Sequence, residues 1–81
     1  MRVKVLFFAA AREEAGSREL ALELPGGATA GSLLDLLVQR FPGLLPLLPA
    51  LQLAVNQAYA PHDTPLAEGD EVALIPPISG G

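Results

Sequence analysis

The sequence predicts an α+β fold, a mixed β-sheet with one main helix packed across one face. Three observations point there. Several short segments alternate apolar and polar residues with the period of a strand, a single stretch carries a long helical stripe, and glycine or proline closes most segments.

Residues 2 to 8 (RVKVLFF) are β-branched and aromatic, which places Val3, Val5 and Phe7 on one strand face and Lys4, Leu6 and Phe8 on the other. AAAREEAGS reads as a short helical turn closed by Gly16. ELALEL (19 to 24) then returns as a second strand, with leucines inward and Glu19, Ala21 and Glu23 outward. After Pro25-Gly26-Gly27, Thr29 is placed to cap a helix from about Ala30 to Phe41, with Leu33, Leu34, Leu37, Val38 and Phe41 as its apolar stripe. Pro42-Gly43 stop that helix, and the proline-leucine stretch PGLLPLLPAL is expected to be buried and irregular. LQLAVN (51 to 56) alternates as a third strand, Asn56-Gln57 form a turn, and Tyr59 lies on a short return. Glu68-Gly69-Asp70 turn the chain into EVALIPP, whose inward residues are Val72 and Leu74. With one long helix and no second to make a ferredoxin-like layer, the economical arrangement is the β-grasp fold. It is expected as a single domain over residues 1–81, with a flexible tail at 77–81.

Composition removes several function classes. An 81-residue chain has little room for an enclosed active site. Net charge is −4, and Arg2, Lys4, Arg12, Arg18 and Arg40 do not cluster, so nucleic acid is not expected as a partner. There is no cysteine, and His62 with Asp63 lacks the further ligands of a metal site, so no metal or cofactor is expected on this chain. No stretch reads as a membrane span or a cleaved leader, which implies a cytoplasmic protein with no membrane association. Hydrophobic residues make up 51% of the chain and mean hydropathy is +0.40, a hint of apolar surface kept for a partner.

Two features carry the functional reading. If the helix covers Val3, Val5, Phe7, Val72 and Leu74, then Leu6, Phe8, Ala73 and Ile75 occupy the opposite face with no helix to bury them. Either they form a docking patch, with Phe8, Tyr59 and Ile75 as partner-binding residues, or residues 42 to 50 fold over them. The other feature is Pro76-Pro77-Ile78-Ser79-Gly80-Gly81, an extended exit followed by a slender tip that suits threading into a narrow channel. Such a tip offers its carboxylate, which is a poor electrophile until activated, for instance as an acyl adenylate formed on ATP with magnesium. This chain has no phosphate-cradling loop, so the activation belongs to another protein and this chain is the substrate.

VKVLFFAAAREEAG at the front and AVNQAYAPHDTPLAEGDEVALIPPISGG at the back resemble the small subunits of molybdopterin synthase, among the ubiquitin-like sulfur carriers. Relatives often carry aromatic residues just before the two prolines, where this chain has Leu74 and Ile75. The resemblance implies that Gly81 is adenylated by an E1-like adenylyltransferase and converted to a thiocarboxylate. Ser79 and Gly80 then thread with it into the large synthase subunit, within a heterotetramer, where the sulfur passes to cyclic pyranopterin monophosphate during molybdenum cofactor biosynthesis. The alternatives are a carrier for another product such as the thiamine thiazole, a protein modifier joined to lysines through Gly81, and a plain interaction module. A catalyst acting alone is the remaining alternative, and it lacks a nucleophile-base pair or metal cluster.

Overall fold

A computed structural model describes residues 1–77. In chain order they form β1 (Arg2–Phe7), α1 (Ala9–Ala15), β2 (Glu19–Glu23), α2 (Ala30–Arg40), a 3₁₀ helix (Pro42–Ala50), β3 (Gln52–Val55), β4 (Ala58–Tyr59) and β5 (Glu71–Ile75). The sheet order is β2-β1-β5-β3-β4. β1 and β5 run parallel at its centre and the other pairs are antiparallel, which is the expected β-grasp arrangement. Residues 78–81, including Ser79, Gly80 and Gly81, lie outside the described residues.

The inner face of the sheet follows the strand period. Val3, Val5, Phe7, Leu53, Val72 and Leu74 are buried with Leu33, Leu34 and Leu37 of α2 in one core. α2 starts with a reciprocal cap in which Thr29 Oγ1 accepts from Ser32 N–H at 3.2 Å and Ser32 Oγ accepts from Thr29 N–H at 2.8 Å. Within the same first turn, Gly31 N–H donates to His62 O at 2.7 Å. A Cβ at Gly31 would come to 3.0 Å from that oxygen, so the helix start and the 62–66 segment meet this closely because residue 31 is glycine. At the other end of α2 the Phe41 ring meets Phe7 edge-on, with centroids 5.9 Å apart, an arrangement that contributes about 0.5–1.5 kcal/mol beyond area burial.

Several boundaries differ from the sequence reading. β1 ends at Phe7 because Phe8, the N-cap of α1, leaves the strand, and α2 ends at Arg40 with Phe41 as its cap. α1 closes at Gly16, whose φ of 72° is the expected left-handed C-cap. Residues 42 to 50 are not irregular. They form a nine-residue 3₁₀ helix with Pro42, Pro46 and Pro49 in it. Nor is the segment wholly buried, since Leu44 is covered but Leu45 is 58% exposed. It packs against α1 and α2 on the helical side of the sheet, so it does not cover the outer face. Pro76, just past β5, is buried, and Pro77 is exposed.

The β3–β4 hairpin turns through Asn56 and Gln57, both at positive φ (51° and 72°), as a two-residue hairpin of this twist requires. Asn56 also clasps the start of β5. Its Nδ2 donates to Asp70 Oδ1 at 2.9 Å, its Oδ1 accepts from Glu71 N–H at 3.0 Å, and Ala67 N–H donates to Asp70 Oδ2 at 2.8 Å. The Asn56 bond first, then the Ala67 bond, hold the Asp70 carboxyl below its ordinary pKa of 3.8. A lowered folded pKa adds stability that is present at neutral pH and is lost as pH falls below 3.8 through the folded value. Asp70→Asn should therefore melt lower than the parent at pH 7, by less than about 1 kcal/mol given solvent screening. Thermal melts from pH 7 to pH 2 should show the gap closing in acid, and a gap independent of pH would contradict the clasp.

Candidate functional site

The outer face of the sheet carries a groove of about 340 Å³ lined by Leu6, Phe8, Ala54, Gln57, Tyr59, Glu71, Ala73 and Ile75. Strand register explains its shape. Leu6 stands opposite Ala73, Ala73 opposite Ala54, and Ala54 opposite Tyr59, so one apolar row crosses four strands. The two alanines in the middle are small and form a floor, 5% and 8% exposed, while Leu6, Phe8, Ile75 and Tyr59 rise around them as walls. Phe8 and Tyr59 are 40% and 73% exposed in the isolated chain. Thus the structure brings Phe8, Tyr59 and Ile75 to one place. A smaller apolar hollow next to it is lined by Phe8, Ala9, Ile75 and Pro76, at the point where the chain leaves β5 toward Gly81.

The sequence reading did not include Ala54, Gln57 or Glu71 in the patch. Ala54 could have been found from the alternation of β3, since Leu53 and Val55 face inward. Gln57 lies in the tight hairpin turn and Glu71 shares the strand face of Ala73 and Ile75, so the alternation of β5 and the local turn were the signals that could have found them. The neighbouring row is polar: Lys4 Nζ lies 3.7 Å from Glu19 and 4.0 Å from Glu71, surface pairs that contribute little to stability. The apolar groove is therefore bounded on one side by charge. Among the described residues no group of three His, Asp or Glu side chains is close enough to hold a metal ion, and no helix is long and apolar enough to cross a membrane. A shallow, open, apolar trough of this kind can bind a surface and cannot by itself enclose a reaction. The expected reacting and threading residues Gly81, Gly80 and Ser79 are outside the described residues.

A family model described as the ThiS family matches residues 5–81. The chain belongs to the ThiS family. Among its relatives, a molybdopterin synthase sulfur carrier subunit of Drosophila erecta is 49% identical over all of this chain and 92% of its own length. One of the same name from Arabidopsis thaliana is 43% identical over all of this chain and 84% of its own. Solved structures agree on the fold. SAMP1 from Haloferax volcanii superposes with a TM-score of 0.90 at 34% identity, with both chains fully covered. The complex of subunits 1 and 2 of molybdopterin-converting factor from Helicobacter pylori contains a chain with TM-score 0.70 at 28% identity, again over the full length of both. The matched residues run from the middle of β1, through the groove, to Gly81.

Proposed function

We infer that this chain acts as the sulfur carrier subunit of a molybdopterin synthase, with the Gly81 carboxyl group as the site that takes and gives up sulfur. The observation that carries the reading is positional. The apolar groove lies at the end of β5 from which the chain continues to Ser79-Gly80-Gly81, so a protein seated there is within reach of the terminal carboxylate. Full-length relatives named as molybdopterin synthase sulfur carrier subunits support it, and the Helicobacter pylori complex supports a large-subunit partner. In this reading an E1-like adenylyltransferase, using ATP and magnesium that this chain does not bind, forms the acyl adenylate. A sulfur donor then converts it to the thiocarboxylate, and the pair of subunits assembles as a heterotetramer in the cytoplasm. Intact mass spectrometry of the protein from its native host tests this directly. Sulfur in place of one oxygen at Gly81 is the expected result, and a wholly unmodified population, in cells making the cofactor, would refute it.

A second reading has its own observation, the likeness to SAMP1, whose name in another solved structure is small archaeal modifier protein 1. There the same activated carboxylate would be joined to lysines of other proteins. Gly81-linked isopeptides on host proteins would favour that reading over a free thiocarboxylate.

Phe8 offers a test of the groove. Phe8→Asp should weaken binding to the large subunit at least about tenfold, as loss of a central aromatic anchor does. Folding should be spared, because the side chain is half-exposed and aspartate is a good residue for the N-cap position that Phe8 holds on α1. Calorimetric titration and a thermal melt check the two halves. Unchanged affinity would remove Phe8 from the interface.

A further inference from the structure

The outer groove changes character from end to end. Glu71, Ala73 and Ile75 share one face of β5, so the trough runs from a carboxylate, across the small floor, to an apolar wall. Among the described residues that line it, Glu71 is the one with a charge. Gln57 stands beside it, because the preceding Asn56 is tied to Glu71 twice: Asn56 N–H donates to Glu71 O at 2.8 Å, and Asn56 Oδ1 accepts from Glu71 N–H at 3.0 Å. Phe8, Ile75 and Pro76 make up the opposite end. At about 3.3 Å per residue, the charged and apolar ends lie about 13 Å apart along the strand.

The charge at the first end is only partly balanced. Lys4 Nζ lies 3.7 Å from Glu19 and 4.0 Å from Glu71, so one amine serves two carboxylates and the trio keeps one negative charge. At 4.0 Å the contact is too long for a hydrogen bond. Lys4 is also not among the groove-lining residues, so it meets Glu71 from outside the trough. Among the described residues the Glu71 carboxylate accepts no hydrogen bond, and its side chain, 30% exposed, relies on water. A protein seated in the groove removes that water. Burying an ionised carboxylate is strongly unfavourable unless a charged donor meets it, and the side turned to the groove has none from this chain.

We propose that Glu71 is the specificity-determining charge of this docking surface. It selects a partner segment that sets an arginine or lysine against the Glu71 carboxylate and an apolar side chain between Phe8 and Ile75, about 13 Å further on. The proposal deepens the sulfur-carrier reading and rests on it, the occupant being the large subunit. The apolar end supplies burial. The charged end fixes which way round the segment lies, because the reverse orientation leaves the carboxylate covered by an apolar group.

The test measures association and dissociation rates of the full chain with the large subunit. Glu71→Gln keeps the side-chain size and the backbone N–H that Asn56 accepts, so its thermal melt should match the parent. Its affinity should fall at least about tenfold, mainly through faster dissociation, the mark of a lost buried pair rather than of lost steering. Lys4→Met should bind as tightly as the parent, since the partner's cation balances Glu71. Replacing surface arginines and lysines of the large subunit one at a time by methionine should find one whose loss weakens binding to the parent but not to Glu71→Gln. Unchanged affinity in Glu71→Gln, a loss confined to the association rate, or the lack of any coupled cation would each overturn the proposal and leave the carrier reading standing. A loss in Lys4→Met as large as in Glu71→Gln would overturn it too, by assigning the balance to Lys4. A parent that does not bind the large subunit would remove both.

Discussion

Removal of Gly81 should abolish sulfur transfer while leaving the melting temperature where it was. Deleting one residue withdraws the terminal carboxylate by about 3.3 to 3.6 Å. Misplacement of a reacting atom by about 1 Å already costs on the order of 100-fold in rate, so the expected loss is at least that large. An added alanine after Gly81 should fail comparably, because it advances the carboxylate and sets a methyl group beside it. Gly80→Val should obstruct threading through its branched side chain. None of these changes touches the core, whose described members run from Val3 to Leu74. The variants are to be incubated with the activating enzyme, ATP and a sulfur donor, then with the large subunit and pterin precursor, following thiocarboxylate and product. Parental rates from the Gly81 deletion would replace the carrier reading with that of a binding module.

The largest effect on stability is expected from Leu37→Ala. Leu37 is fully buried where α2 crosses the inner face, among Val5, Phe7, Leu53, Val72 and Leu74 of the same core. Truncating a buried leucine removes its transfer free energy and leaves a cavity, a loss of about 2 to 5 kcal/mol. A domain of this size has a total stability of roughly 4 to 12 kcal/mol, so the variant would lose a large share of it. Urea denaturation should show a lower midpoint with an unchanged slope. A change within about 0.5 kcal/mol, as at an ordinary surface position, would mean that α2 does not pack as described.

The local features of this fold were open to reading because they are written in short-range chemistry. The alternation of Val3, Val5 and Phe7, the Thr29 cap, the Gly16 stop and the turns at Asn56-Gln57 and Gly69 depend on residues within a few positions of each other. What depended on distant parts of the chain was harder. Whether residues 42 to 50 would lie on the outer face or beside the helices was undecided from pattern, since leucines on a proline-rich stretch can bury against either. The burial of Leu44 against α1 and α2 decides it, and the outer groove stays open as a result. The cap gained a second half in Ser32, a serine at the third helical position doing what glutamate or glutamine more often does. Of the site, Phe8, Tyr59, Ala73 and Ile75 were legible from strand faces, while the pairing that sets Ala54 beside Ala73 as one floor needed the β3–β5 register.

The central position of β5 has a mechanical consequence. A carrier whose tip is gripped inside another protein is pulled lengthwise along this strand, whenever the two bodies drift or rotate apart. β5 is flanked by β1 on one side, from Lys4 to Phe7, and by β3 on the other, from Gln52 to Val55. A lengthwise load must slide the strand past both neighbours at once, shearing two ladders together, whereas an edge strand such as β2 or β4 could be peeled one hydrogen bond at a time. In the carrier role proposed above, the chain that leads to Gly81 is thus rooted in the strand best placed to withstand tension, flanked on both sides by a ladder that must shear.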